Sequence, residues 1–272
     1  MTLENSLNDL KEIHMQTYKH SVRCGNYLAM LAKACGKDEK TIQTYREAGY
    51  AHDMGKRAVM KHIKSTVNFR EMKSEDAAKF KKNISMHVMY AASYLKDLKD
   101  YKKEYLDAAN YHHCFYNNQN CGYSAETVKG ARDIPPTKSG IPEVAQMLAV
   151  VDVYDALTDP ERKYRQGAFP EEKVNKIMSE AMNNGQFNPR FYKVFTQEIV
   201  PQIKNMTEEE KLKTKFAHKK PEEKMRSNFA VNKSAYKASN MINRGVSSEF
   251  SHLKEGGYHA SKEIRRTSAF HM

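Results

Sequence analysis

The apolar residues of the first 200 positions recur at steps of three and four, the spacing of amphipathic helices. One row predicts a helix that stops near Gly36, and a second row leads to His52. A third begins at Ile84, and the short stretch EYLDAANYHH ends in paired histidines. The three rows consist of Ile13, Thr17, His20, Cys24, Tyr27 and Leu31; of Ile42, Tyr45, Gly49 and His52; and of Ile84, His87, Ala91, Leu95 and Leu98.

The second half of the predicted domain contains its most apolar segment. Residues 142–159, PEVAQMLAVVDVYDALTD, predict a buried helix, with Pro142 suited to its first turn. A further helix is predicted after Pro170, ending near Gly185, and residues 191–203 predict a last element. Residues 116–141 predict a long loop. Because alternating strand patterns are scarce, the fold class is all-α, a helical bundle.

The charge of the chain is unevenly distributed. The net charge is +12, and residues 204–272 contain 15 basic and 8 acidic residues. We therefore predict a domain over residues 1–203 and a basic C-terminal extension over residues 204–272, partly helical or disordered. A basic domain suits an anionic substrate, and the extension suits a nucleic acid, a membrane surface or an acidic partner. A charge excess that serves solubility is the alternative.

Composition also indicates a compartment. No apolar stretch is long enough to cross a bilayer, and the N-terminal residues lack the apolar core of a signal peptide. Four cysteines are few for this length and indicate free thiols, including Cys114 and Cys121. These features predict a cytoplasmic protein.

Histidine or aspartate interrupts several of the apolar rows. A single histidine on an apolar face is usually a hydrogen-bonded core residue. Asp152, between two valines in the most apolar helix, is harder to explain, because a buried carboxylate is costly without a cation. Imidazole and carboxylate together suit Fe, Mn or Zn. Five or six such ligands exceed the needs of one ion and indicate two.

With these residues in view, the chain resembles the HD-domain metal-dependent phosphohydrolases, and more narrowly their HD-GYP subfamily of cyclic-dinucleotide phosphodiesterases. The resemblance covers roughly residues 10–200. The matching segments are HSVR (20–23), AHDMGKRAV (51–59), ISMHVMYAASYL (84–95), ANYHHCFYNNQNCGYS (109–124) and IPEVAQMLAVVDVYDALTDPERKYRQG (141–167).

The resemblance implies a centre of two divalent ions, with Fe or Mn expected and Zn, Ni or Mg as alternatives. Asp53 would bridge the ions and hold the attacking water between them, and Lys56 would neutralise phosphate charge. Arg162, Arg165 and Tyr123 would contact the substrate. Asp155 would orient a ligand histidine or, as the alternative, make a hydrogen bond at the helix end. The implied metal ligands are His20, His52, Asp53, His87, His112, His113 and Asp152.

The chain departs from the subfamily pattern at three places, one of which is a longer stretch between His113 and Asp152 with an added basic loop over residues 125–140. In the loop that names the subfamily, Cys114 replaces an acidic residue and Ser124 replaces a proline, which leaves the substrate base open. Gln16 stands where some members have a glutamate that holds a third metal, so we predict two ions.

The predicted function is hydrolysis of a cyclic dinucleotide in bacterial signalling, most simply cyclic di-GMP, with cyclic GMP-AMP as another possible substrate. One alternative is a general HD-domain phosphohydrolase of nucleotides or phosphomonoesters. Another is a weakly catalytic protein that binds a cyclic nucleotide and signals through its C-terminal extension. The oligomeric state is not predicted.

Overall fold

The structure, a computed structural model of the 272-residue chain, describes residues 1–60, 75, 83–117, 140–161 and 167–217. Helices account for its regular structure, and the described ranges contain no strand, so the predicted all-α class is confirmed. The helices are α1 (Leu3–Ile13), α2 (Met15–Ala34), α3 (Glu39–Ala51), α4 (Lys56–Met60), α5 (His87–Lys96), α6 (Lys103–Tyr111), α7 (Glu143–Thr158), α8 (Glu171–Asn183), α9 (Pro189–Val194), α10 (Val200–Asn205) and α11 (Glu208–Leu212).

The first predicted helix is two helices, because the chain breaks at His14. This residue has φ −154° and ψ 88°, outside the helical region, and its Nδ1 accepts the N–H of Thr17 at 3.2 Å. The side chain thus caps α2 and satisfies a first-turn amide. Ile13 therefore belongs to α1 and was wrongly assigned to the row that continues through α2. The end of α2 is as predicted, with Gly36 at φ +79°.

Helices α2 and α3 form a hairpin in which their backbones come into contact. A Cβ added to Gly49 of α3 would lie 2.5 Å from Cα and 2.8 Å from N of Gly25 in α2. At the point where the helices cross, only the Cα hydrogens of Gly25 and Gly49 lie between the two backbones. This close approach carries the end of α3, and the residues that follow it, toward the middle of α2.

Helix α7 is the centre of the bundle. It contacts α2, α3, α6, α8 and α9, and both of its ends and its middle contain buried apolar side chains, among them Val144, Leu148, Val151 and Leu157. An apolar helix that is buried on most of its surface was predicted here. Pro142 precedes the helix at the N-cap instead of lying in its first turn.

The last predicted element is a continuous helical stretch with a wider turn inside it. Helix α9 passes into a π-helical segment, Phe195–Ile199, and then into α10. Pro201, in the first turn of α10, has no amide hydrogen to donate to the preceding turn. The irregular hydrogen bonding lies immediately before it, as is usual for π-helical turns.

The chain beyond α10 packs back on the α2–α3 hairpin. The Asn26 amide donates to the carbonyl oxygens of Lys211 and Lys213, at 2.8 and 3.1 Å. The Tyr50 hydroxyl accepts the N–H of Lys215 at 3.1 Å, and its ring lies 5.3 Å from that of Phe216. These contacts attach residues 211–216 to the two helices.

The chain divides into two compact units, Met1–Phe216 and Ala217–Met272. Most of the predicted basic extension, from residue 218 onward, lies outside the described residues. Within those residues, no helix combines the length and apolar character needed to cross a membrane.

Replacing Gly49 with alanine should destabilise the domain by at least about 2 kcal/mol, since the added methyl group would overlap backbone atoms of α2. Gly36→Ala is the matched control. It has open space around it and should cost only about 1 kcal/mol, from its positive φ. Urea denaturation followed by circular dichroism measures both. Equal losses would contradict the close packing of α2 on α3.

Candidate metal centre

Five helices bring the predicted ligands to one place in the bundle. His20 lies in the second turn of α2 and Asp152 in the middle of α7, whereas the other ligands lie at helix ends. His52 and Asp53 follow α3, His87 begins α5, and His112 and His113 follow α6. The ring centroids of His52 and His112 are 5.0 Å apart, and those of His87 and His113 are 5.4 Å apart.

Asp53 lies between two groups of histidines. Its Oδ2 is 3.6 Å from Nε2 of His20 and 3.4 Å from Nε2 of His52. Its Oδ1 is 3.3 Å from Nε2 of His87. Each carboxylate oxygen therefore faces a different group of imidazoles, the arrangement that a carboxylate needs to bridge two cations.

The remaining donors divide in the same way. On one side, His20, His52 and Asp152 offer donor atoms that lie within 4.8 Å of one another, together with the Sγ of Cys24. On the other side, His87, His112 and His113 meet the same limit. His52, Asp53 and His112 also meet it, so the two sides adjoin at Asp53. The residues present thus fit two neighbouring ions that share Asp53.

Backbone hydrogen bonds orient three of the histidines. A carbonyl oxygen only accepts, so each Nδ1 carries the proton and Nε2 keeps its lone pair for a metal. Among the described residues, Nε2 of His52, Nε2 of His112 and Oδ1 of Asp53 are buried without a hydrogen-bond partner. The Nδ1 atoms of His52, His87 and His112 donate to the carbonyl oxygens of Gly49, Ile84 and Ala108, at 2.7, 2.8 and 2.9 Å.

His20 is oriented by a carboxylate instead. Its Nδ1 is 2.7 Å from Oδ2 of Asp155, the role predicted for that residue. Arg23 holds the same carboxylate through Nε, at 2.6 Å, and also contacts Asp159 at 3.1 Å. The ion pairs hold Asp155 charged, with a pKa of about 2, because Arg23 and His20 outweigh the effect of burial.

The site combines neutral imidazoles with charged carboxylates. Burial lowers the pKa of His87 to about 4 and that of His112 to about 3, so both rings are neutral at neutral pH. Burial alone would raise the pKa of Asp53, but Lys56 and the histidines hold it well below its usual value. Neutral nitrogen and anionic oxygen donors are the forms that bind divalent metals.

His20 differs from the other rings. Burial opposes its protonation, but the neighbouring Cys24, Asp152 and Asp155 outweigh burial and raise its pKa well above the usual value. Its Nε2 lies 2.9 Å from Oδ1 of Asp152. A cation bound between His20 and Asp152 would take the place of this proton.

The turn after Asp53 brings α5 and a lysine to the site. A Cβ on Gly55 would lie 1.8 Å from the carbonyl oxygen of His87, so a side chain there would displace the start of α5. Next along the chain, Lys56 Nζ lies 2.6 Å from Oδ2 of Asp53. Lys56, His113 and Asp152 are partly exposed, whereas Asp53 and His87 are fully buried, so this side of the site is the one open to solvent.

The other predicted contact residues are not all placed. Tyr123, Arg162 and Arg165 lie outside the described residues, as does Cys121, and their roles stay predictions. Gln16 donates from its side-chain amide to the carbonyl oxygen of Glu161 at 3.0 Å. The side chain at the third-metal position, Gln16, is therefore hydrogen-bonded to the backbone of Glu161.

Sequence reasoning missed three side chains of the site. Arg23 and Asp159 complete the buried network behind His20, and Cys24 lies beside His20 itself. Arg23 and Cys24 follow His20 by three and four residues, so helical spacing places them on its face. The aspartates Asp152, Asp155 and Asp159 likewise recur at steps of three and four, a signal for one face directed at the site.

Comparison with known families agrees with this geometry. The HD domain family matches residues 17–157, which is more than half of the chain and includes every predicted metal ligand. The chain belongs to the HD-domain family. It is thus a metal-dependent phosphohydrolase, which confirms the prediction at the level of the family. The clustered histidine and aspartate side chains are groups that could bind the metal.

Solved structures give the same fold. The HD domain of the L. monocytogenes phosphodiesterase PgpH in complex with cyclic-di-AMP aligns with a TM-score of 0.50 and 16% identity, covering 74% of this chain and 96% of that one. A second structure of that HD domain has the same score and identity and is covered to 97%. At this identity the similarity shows the fold alone. No protein of known, curated function matches the sequence.

Replacing Asp155 with asparagine should weaken metal binding about 10- to 100-fold, because His20 loses the carboxylate that orients it. Chelator competition with the metal-free protein measures the affinity, and circular dichroism verifies that the variant is folded. Asp97→Asn, exposed at the end of α5, is the control and should bind as the wild type does. Equal affinities would show that Asp155 does not support the centre.

Proposed function

We propose that the HD domain hydrolyses a cyclic dinucleotide by means of two divalent ions held by the seven predicted ligands. The observation that carries this proposal is the position of Asp53, whose two oxygens face separate histidine groups at 3.3–3.6 Å. One carboxylate that serves two ions is the feature of two-metal phosphoester hydrolysis. Fe or Mn remains the expected metal, with Zn, Ni or Mg as alternatives.

Two ions bound there would lower the pKa of a water molecule and neutralise the phosphate oxygens of the substrate. The protein supplies the remaining parts. Asp53 is the shared ligand, and the backbone-anchored histidines present Nε2 without rearrangement. Lys56, at the open side of the site, forms an ion pair with Asp53 in this structure. When substrate binds, its ammonium group would pair with a substrate phosphate instead.

The substrate class is supported by two likenesses. Segments such as 109–117 and 141–161 resemble the HD-GYP phosphodiesterases, and we place the chain near that subfamily. The HD domain of similar fold binds cyclic-di-AMP. The substrates of the HD-GYP phosphodiesterases and the cyclic-di-AMP bound by that HD domain are both cyclic dinucleotides. A cyclic dinucleotide is therefore the proposed substrate. Cyclic di-GMP is the first expectation, with cyclic di-AMP and cyclic GMP-AMP to be compared.

A panel assay tests the substrate. Purified protein loaded with Mn²⁺ or Fe²⁺ should convert at least one of the three cyclic dinucleotides to a linear dinucleotide or to mononucleotides, detected by chromatography. Mononucleotides and a generic phosphomonoester belong in the same panel. Turnover of the latter alone would favour a general phosphohydrolase, and binding without turnover would favour a signalling receptor.

The same preparation should contain two metal ions per chain when purified anaerobically and measured by mass spectrometry. Two ions are expected because histidines lie on two sides of Asp53, one side facing each of its oxygens, and because Gln16 is a poor ligand. Three ions per chain would contradict the assignment, and so would a single ion in protein that hydrolyses its substrate fully.

Asp53→Asn should reduce the hydrolysis rate by more than roughly a hundredfold, since a shared ligand contributes more than the residues behind it. It should also lower the metal content. Asp97→Asn serves as the control of equal chemistry at an exposed position. A variant that keeps its metal and full activity would rule out a bridging role for Asp53.

A further inference from the structure

Cys24 is buried beside the candidate metal centre. It follows His20 by one helical turn on α2, so both side chains lie on the same face. The Cys24 side chain is fully buried, and its Sγ lies 3.6 Å from Nδ1 and 3.8 Å from Nε2 of His20.

The contacts of the thiol with the imidazole are longer than those that the ring makes with two aspartates. Nδ1 of His20 makes a shorter contact of 2.7 Å with Asp155, and Nε2 makes one of 2.9 Å with Asp152. Both ring nitrogens are therefore directed at carboxylates. The thiol lies near the ring without being the principal partner of either nitrogen.

The distances do fit two ligands of one ion. Metal–sulfur and metal–nitrogen bonds to zinc are about 2.3 and 2.1 Å, so the two donor atoms lie at most about 4.4 Å apart. The 3.8 Å between Sγ and Nε2 of His20 satisfies this limit. Sγ, one nitrogen from each of His20 and His52, and one oxygen of Asp152 all lie within 4.8 Å of one another.

We propose that Cys24 is a thiolate ligand of the ion held by His20, His52 and Asp152, an inference that rests on the proposed two-metal centre. Binding converts the thiol to a thiolate, and its proton is released to solvent. The other group, His87, His112 and His113, offers nitrogen donors only. The two sites are thus chemically unequal.

The consequence is metal selectivity. A thiolate favours softer ions such as Zn²⁺, Fe²⁺ and Co²⁺ over Mn²⁺ and Mg²⁺. The site that contains Cys24 should therefore take one of the softer ions, while the histidine site accepts a wider range. A mixed pair of metals in one domain follows from the two sets of donors.

Cobalt substitution tests the proposal without an activity assay. Co²⁺ titrated into the metal-free protein should produce a near-ultraviolet absorption from thiolate-to-metal charge transfer. Cys24→Ala should abolish this absorption and weaken one of the two Co²⁺ sites at least roughly tenfold, as expected for loss of a direct ligand. The weaker visible absorption of the histidine site should persist in the variant.

A complementary variant makes the result independent of how Cys24→Ala folds. Protein with Cys35→Ser, Cys114→Ala and Cys121→Ser keeps Cys24 as its single cysteine and should retain the charge-transfer absorption. If Co²⁺ binds to the wild type without that absorption, no thiolate is a ligand; if the absorption survives in Cys24→Ala, another cysteine is the ligand. Either result overturns ligation by Cys24 while the metal centre stands. If Co²⁺ does not bind at all, both the thiolate ligand and the two-metal centre are wrong.

Discussion

Buried negative charge is the constraint on which this fold depends. The Asp53 side chain is fully buried and that of Asp152 is 13% exposed, and Asp155 is buried on the same central helix as Asp152. Carboxylates in such surroundings are costly unless cations compensate them. Lys56 and a protonated His20 supply part of that compensation in the metal-free protein. Two divalent ions would supply it more fully, so metal binding and stability of the bundle should be linked.

The helix ends give the site its geometry. His52, His87 and His112 each lie at an end of a helix and bond through Nδ1 to a carbonyl three or four residues earlier. Near the end of a helix, carbonyl oxygens have no amide partner within the helix, and any carbonyl oxygen can accept a second hydrogen bond. The backbone thus holds the three rings, and no additional acidic side chain is needed behind them. His20, in the second turn of α2, is oriented by Asp155, which Arg23 holds in turn.

Much of the helical fold could be predicted because periodic apolar rows mark α2, α3 and α5, and a nearly continuous apolar run marks α7. The break at His14 could not, since it depends on a side chain turning back to cap its own helix, which leaves no trace in the apolar spacing. For the site, the histidines and aspartates that interrupt apolar rows were visible as anomalies. Arg23 and Cys24 were not, because both fit ordinary positions on α2 until α7 is placed beside it.

The attachment of residues 211–216 sets where the folded unit ends. Asn26 and Tyr50 bond to the backbone of this segment, and Tyr50 is two residues from His52. A fragment that stops at residue 203 would leave the Tyr50 ring and the Asn26 amide without these partners. The shortest fragment that keeps the support of α3 behind His52 therefore extends to Phe216.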